Sequence, residues 1–284
     1  MSGRRSAPIL LLALLLGACG SSTGSAGHLP GSTGQPALSA KPVPAPTGLA
    51  ASGKLTVAAD PTEAPLVYYD HNNRFAGFSI ELLGEIASEM ALKLDVINID
   101  SSQIVPGLAD VQHRYDVGVA TQPASADTST SALTLNYLVG GQAILAGQGQ
   151  GAVKTLADLC GLRLGANRGT AGETAVLRQN EGACSSRPIN LTLYDNDVTG
   201  IHDVQSGKLA AYVDDYTVAT AFATIYTNIR LVPNHFDRTP EVFLFSLTNT
   251  ELHDAVSKAF DRLRQKGAYK QLLKRWGLSE GAVS

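Results

Sequence analysis

The sequence predicts an α/β fold built from two successive series of strand–helix units. Three observations carry this. Short apolar runs of strand length alternate with stretches whose apolar residues recur every three or four positions, the order that produces open, mainly parallel sheets. A second series of the same kind follows the apolar run 142–146. Within it, an alternating run ends in Gly169-Thr170 and leads into a helical stretch, which is a strand feeding a helix through a glycine turn.

The elements follow in order. Residues 54–59 form the first strand, with 60–65 as the loop at its carboxyl end. Tyr68-Tyr69 and Phe75 to Phe78 flank Asp70-His71-Asn72-Asn73, a turn-forming cluster that predicts a small hairpin with His71 as a turn residue. Ile80, Leu83, Ala87 and Met90, widened by Leu82 and Ile86, predict a helix over 79–92 capped by Ser79. Leu94, Val96 and Ile99 make a strand, 104–111 a short helix and 115–120 a strand. A polar loop runs to Thr130, and Tyr137 leads into the strand 142–146, which leaves the first series.

In the second series, 155–159 is a short helix, 189–194 a strand and 196–206 a helix. Residues 210–213 are a strand with Asp214-Asp215 at its end, 217–223 a helix and 229–232 a strand. After the strand 242–246, Leu252, Val256, Ala259, Phe260 and Leu263 define the apolar stripe of a helix over 251–266. His253 falls off that stripe and reads as solvated. Gly267 stops the helix, and 268–276 is a last short helix with Trp276 as a packing anchor.

Composition narrows the class. The chain has 284 residues, 44% hydrophobic and 17% charged, with a formal net charge of −3. That is a globular balance without the basic excess of a nucleic-acid binder. Arg4 and Arg5 precede an apolar stretch, 9–16, too short to span a bilayer, which reads as a signal peptide over 1–18. Leu16-Gly17-Ala18-Cys19 resembles the lipobox of bacterial lipoproteins, in which cleavage precedes a lipid-bearing cysteine. Residues 19–53 are then the lipidated cysteine and a Gly-, Ser- and Pro-rich flexible tether. This predicts a globular part on the outer side of a cell membrane, held there by the lipid alone. In an oxidising exported location the remaining pair, Cys160 and Cys184, favours a disulfide over two buried thiols. The six histidines are scattered without ligand spacing, so no metal and no cofactor is expected.

The glycine turn carries the first chemical signal. The first turn of a helix presents unpaired amides and the positive end of its dipole, which attract an anion. Arg168 stands beside Gly169-Thr170 and would add a charge-assisted bond. The spacing is not that of a Walker loop, since no Gly-Lys-Ser/Thr follows.

In their order and spacing, several segments resemble the polar-amino-acid family of solute-binding proteins that serve ABC importers. They are Asp60 after the first strand, Gly77-Phe78, Val105-Pro106-Gly107-Leu108, Tyr115-Asp116, Asp158-Leu159-Cys160-Gly161, Gly169-Thr170, Ser206-Gly207-Lys208, Asp214-Asp215, and the ending from Gly267-Ala268-Tyr269 to Lys274-Arg275-Trp276-Gly277. The resemblance covers 54 to about 278. It implies a two-lobed periplasmic-binding-protein-like fold with two hinge strands and an interlobe cleft, lobe one being 54–140 plus 243–278 and lobe two 143–240. It implies ligand between strand ends of both lobes and closure on binding.

Carried over residue by residue, Asp215 matches the aspartate that takes a ligand ammonium group, Thr170 a threonine at the carboxylate-binding helix end, and Asp60 a first-strand acid that contacts ligand in some members. The arginine that clamps the ligand α-carboxylate is missing from 121–128, with Thr128 near its place. Glu63 and Ser101 stand where aromatic walls are usual. Either Arg168 grips the anion from the other lobe, or the ligand lacks an α-carboxylate. Asp60, Glu63, Asp214 and Asp215 around one cleft would favour a cationic or amine-bearing ligand; the alternative is that two of them face solvent or cap helices. Tyr68, Tyr69 and Tyr137 offer an aromatic face to a cation or pack in the core.

The function implied is that of a monomeric, non-enzymatic binding protein that hands a small polar solute to ABC permease and ATPase subunits. Two alternatives stand beside it: a ligand-sensing envelope module, and an enzyme resembling the dehydratases that some relatives have become, with Glu63 or Asp60 as an acid.

Overall fold

The computed structural model describes residues 41–110, 112–120 and 130–284. Cys19 and the rest of 1–40, together with Thr128, lie outside the described residues.

The chain builds two lobes. The first contains β1 (Lys54–Ala59), β2 (Thr62–Glu63), β3 (Val67–Tyr69), β4 (Phe75–Ala76), α1 (Phe78–Glu89), β5 (Lys93–Asn98), α2 (Ser101–Leu108), β6 (Val117–Ala120) and β7 (Leu133–Val139). The second contains β8 (Gln142–Gly147), a 3₁₀ turn (Leu156–Leu159), β9 (Arg163–Asn167), α3 (Ala171–Glu181), β10 (Asn190–Tyr194), α4 (Asp197–Gln205), β11 (Ala211–Asp215), α5 (Tyr216–Ile225) and β12 (Ile229–Leu231). The chain returns to the first lobe through β13 (Pro240–Phe245), α6 (Thr250–Gln265), α7 (Ala268–Trp276) and a 3₁₀ turn (Ser279–Gly281).

Each lobe has a five-stranded sheet, ordered β5-β1-β6-β13-β7 in the first and β10-β9-β11-β8-β12 in the second. Within each sheet the three strands of the opening units are parallel, and the strand that enters from the other lobe, β13 in the first and β8 in the second, is antiparallel to both of its neighbours. The hairpin forms as its turn residues dictate: Tyr69 pairs with Phe75, and Asp70 Oδ1 accepts from the backbone N–H groups of Asn72 and Arg74.

The two crossings run side by side. Gln142 N–H donates to Phe236 O at 2.7 Å, Phe236 N–H returns the bond at 2.8 Å, and Gly140 N–H donates to Thr239 O at 2.8 Å. Gly141 has a φ of +126°, and a Cβ there would lie 2.5 Å from Phe236 O. Only glycine allows the crossings to approach this closely.

The stripe of α6 is buried as its spacing requires: Leu252, Val256, Ala259, Phe260 and Leu263 all face the core. Burying each larger side chain contributes about 1.5–3 kcal/mol relative to exposure. Trp276 packs edge-on against Phe78 and donates its indole N–H to Glu81 at 2.7 Å. Cys160 and Cys184 are joined by a disulfide across 24 residues, a closure that stabilises by about 3 kcal/mol in the chain-entropy account.

Three local expectations, on Ser79, His253 and the tether, need correction, and the alternative left open for Tyr137 is decided. Ser79 does not cap α1, whose N-cap is Gly77; it is fully buried and shares a hydrogen bond of 2.8 Å with the Tyr137 hydroxyl. Tyr137 is a core residue, stacked on Phe243 at 4.0 Å, so it offers no face to a ligand. His253 is not simply solvated: it lies edge-on to Phe245, and its Nε2 is 3.3 Å from Thr134 O. The described part of the tether, 41–53, is seated on lobe one. Val43 is buried and bonded to Glu89 O, Ala50 N–H donates to the buried Asp116 carboxylate, and Arg262 donates to Lys41 O. An apolar Val among prolines was enough to find a groove, because an extended segment has free N–H and C=O groups to offer.

Candidate functional site

A cleft of about 490 Å³ lies between the lobes. Glu63, Ala64 and Leu66 line it from lobe one, Gly169 to Ala171 and Asp215 to Val218 from lobe two, and Gly140, Gly141, Thr239 and Glu241 from the crossings. Among the described lining residues none is Lys, Arg or His.

On the lobe-two wall, β9 delivers Asn167 to a turn in which Gly169 adopts a φ of +76°, and Thr170 caps α3. Thr170 Oγ1 donates to Asn167 O at 2.7 Å and accepts from Glu173 N–H at 3.3 Å. Glu173 Oε2 in turn accepts from Gly169 N–H at 2.6 Å. This is a reciprocal cap, in which the chain's own carboxylate serves the helix end. The anion site anticipated at this turn is therefore partly filled by Glu173.

Arg168 does not reinforce that turn as an anion clamp. It does not line the cleft, and its Nε lies 3.4 Å from Asp195 Oδ1 in an exposed pair at the end of β10. β9 ends at Asn167, and Arg168 is the first residue of the turn that follows, bonded through its backbone N–H to Tyr194 O at 2.9 Å. Asn167, not Arg168, points to the carboxylates, donating to Asp197 Oδ1.

The strand β11 ends in Asp214-Asp215, and the two part ways. Asp215 lines the cleft and accepts from the Gln142 side-chain amide. Burial raises its pKa above the ordinary carboxylate value; the Gln142 bond opposes this and Asp197 adds to it. Asp214 lies behind it, with Oδ1 accepting from Asp215 N–H at 2.8 Å and Oδ2 buried without a partner. Burial, then the facing Asp197 carboxylate, pushes Asp214 well above the usual range.

On lobe one, Asp60 and Ser101 meet each other instead of the cleft. Asp60 Oδ2 accepts from Ser101 N–H at 3.0 Å at the start of α2, and Oδ1 accepts from Thr62 N–H and Oγ1–H. Partial burial is the largest single influence and pushes Asp60 up, but the Thr62 and Ser101 bonds together outweigh it and hold the carboxyl low. Neither residue is in the cleft lining, whereas Glu63 is. Tyr68 and Tyr69 are outside the lining too, and Tyr69 packs on Phe75.

Of the residues singled out from sequence, the fold thus brings Glu63, Thr170 and Asp215 to one cleft and leaves Asp60, Ser101 and Arg168 at its margins. Sequence reasoning missed Gln142 and Glu241. Glu241 is 8% exposed and is the second residue of β13, which is apolar from Val242 to Phe245. Burial, then Asp215 and Glu63, pushes its pKa up to about 8. An acid at the mouth of an apolar strand was the available signal, and it also fits a solvated strand end.

The comparisons agree with this geometry. The sequence pattern of the bacterial extracellular solute-binding proteins, family 3, matches residues 55–279. The arginine-binding protein ArgT of Corynebacterium glutamicum is 25% identical over 242 residues, covering 84% of this chain and 79% of that protein. The L-cystine-binding protein TcyJ of Escherichia coli is 24% identical, covering 79% and 82%. These relatives are named as binding proteins, not enzymes. In fold, the chain is similar to a polar amino acid ABC uptake transporter substrate-binding protein from Streptococcus thermophilus, with a TM-score of 0.73 and 16% identity, over 83% of this chain and 90% of that one. A two-lobed fold with a polar cleft between its strand ends, and a family pattern that spans nearly all of both lobes, make this chain a member of the family 3 bacterial extracellular solute-binding proteins, the amino-acid-binding subunits of ABC transporters.

Proposed function

We propose that the protein captures a small amine-bearing, amino-acid-like solute in the interlobe cleft and passes it to an ABC permease driven by ATPase subunits. The observation that carries this is the charge of the cleft. Glu63, Asp215 and Glu241 line it, and no described lining residue is cationic. Such a wall attracts ammonium or guanidinium groups and disfavours a solute of net negative charge. The relatives' ligands, arginine and L-cystine, both carry ammonium groups. Asp215 takes the ammonium, and the capped turn at Thr170 contributes neutral donors and acceptors. Cys19 anchors the chain by its lipid on the outer side of the membrane, with 1–18 removed.

Isothermal titration of the purified chain against arginine, lysine, glutamine, cystine, glutamate and short diamines tests the solute reading. Basic solutes are expected to bind and glutamate is not. A folded protein that binds none of them, or binds glutamate best, overturns it. Intact mass of the membrane-extracted protein tests the anchor: a diacylglyceryl adduct on Cys19 is expected.

A further inference from the structure

Among the described residues of the cleft lining, the Tyr216 hydroxyl and the Glu241 carboxyl each bury an oxygen without a hydrogen-bond partner, and Glu241 is the acid of the two. Glu241 enters β13 where the chain returns to lobe one, lines the cleft, and is more than nine-tenths buried, yet its Oε2 makes no hydrogen bond. Leaving a buried carboxyl oxygen unpaired is costly, and removing the negative charge by protonation lowers the cost only in part. Packing gives no reason for an acid here, since the next residues, Val242 to Phe245, are all buried and apolar.

The groups that face Glu241 sharpen the point. Glu63 on β2, Asp215 at the head of α5 and the Tyr137 phenol on β7 all interact with it electrostatically, and none is positive. Asp237, the other acid on the wall, is already paired with Arg178. A carboxyl in this setting keeps its proton near neutrality until something positive arrives. A cationic nitrogen group would supply both things that are missing, a hydrogen-bond donor for Oε2 and an opposite charge for the acids around it.

We propose that Glu241 is the specificity-determining residue of the cleft: its unpartnered Oε2 receives an N–H from a cationic group on the solute, and the complex forms with release of a proton from that carboxyl to solvent. The step balances. The carboxyl loses its O–H proton to buffer, the solute keeps its protons, and an N–H···O⁻ bond forms, so one positive charge enters as one leaves. The inference rests on the amine-solute reading above and deepens it. Asp215 takes one ammonium group, and Glu241 demands a second cation at the hinge end.

The test is titration calorimetry with L-arginine and L-citrulline, which share a shape and differ in the charge of the terminal group. It is run on the intact chain near neutral pH in two buffers of different ionisation enthalpy. The wild type is expected to bind arginine at least about tenfold more tightly than citrulline, with about one proton released per arginine and none per citrulline. Glu241→Gln is expected to shrink that preference to about threefold or less, abolish the release, and leave citrulline binding nearly unchanged. Arginine binding without buffer dependence in the wild type overturns the proposal without any variant. So does a Glu241→Gln protein that keeps the preference. Either result leaves the amine-solute reading standing, whereas a folded wild type that binds neither probe nor any amine overturns both.

Discussion

Asp60 and Asp215 invite comparison because the chain presents them in the same way. Each stands at the carboxyl end of a parallel strand inside its sheet, β1 in one lobe and β11 in the other, and each adjoins the start of a helix. Their chemistry is opposite. Asp60 accepts three bonds from Thr62 and Ser101 and sits below the usual carboxylate range; Asp215 accepts one from Gln142, stands near the Asp197 and Glu241 carboxyls, and sits above it. An acid whose lone pairs are taken up by its own backbone braces a loop, and an acid left under-satisfied at a cleft wall is available to a ligand. Position at a strand end makes a residue a candidate, and its partners decide the role.

The widest separation between the two should come in ligand affinity. Asp215→Ala removes one partner of a desolvated charge pair, which typically costs 2–5 kcal/mol, so arginine binding should weaken by about a hundredfold or more. Asp60→Ala, measured by the same calorimetry, should weaken it less than about fivefold, since its contacts are internal. Comparable losses would erase the distinction.

Stability against pH should separate them next, and with opposite sign. Asp215, Asp214 and Glu241 have raised values in the folded state, so their contribution is full below the ordinary carboxylate range and is lost as pH rises through the folded values. Glu241→Gln should therefore melt above the wild type at about pH 9 and with it near pH 5, where the wild-type Glu241 carboxyl is held neutral, and Asp215→Asn should gain on the wild type in the same direction as pH rises. Asp60 has a lowered value, so its contribution is present above the ordinary range and is lost as pH falls through the folded value. Asp60→Asn should cost about 1 kcal/mol near neutrality, and the cost should fade in acid. Thermal melts across that range are the measurement, and parallel curves for the two sites would break the comparison.

The smallest effect is expected at Arg168. Its exposed pair with Asp195 is worth less than about 0.5 kcal/mol, so Arg168→Ala should leave the melting temperature and the solute affinity almost unchanged. A tenfold loss of affinity would restore the anion-clamp reading, because it would show that Arg168 swings into the closed cleft.

Much of this was legible before folding. The three-and-four spacing on α6, the glycine turn before α3, and the paired acids closing β11 are local patterns, and each formed where periodicity and turn chemistry place it. The positions of Thr170 at a glycine turn and Asp215 at a strand end were readable in the same way, while the binding roles expected of them came from the family resemblance. Other residues were not, because their roles depend on segments far along the chain. Ser79 reads as a cap, but Tyr137, 58 residues away, takes its hydroxyl. Val43 reads as part of a loose tether, but the face of lobe one buries it. Arg168 reads as a clamp from its neighbours in sequence, and Asp195 claims it in space.

Glu241 shows the division most clearly. Local pattern determines that a strand runs just past it, since Val242 to Phe245 follow as a buried apolar run. Only the packing of two lobes around two crossings decides that its carboxyl is enclosed, faces Glu63 and Asp215, and lacks a donor. Periodicity is a property of neighbours in sequence, and it fixes which elements form and which faces they bury. Desolvation and charge proximity are properties of neighbours in space, so the ionisation of a site and the charge it selects are settled only when the tertiary structure closes around it.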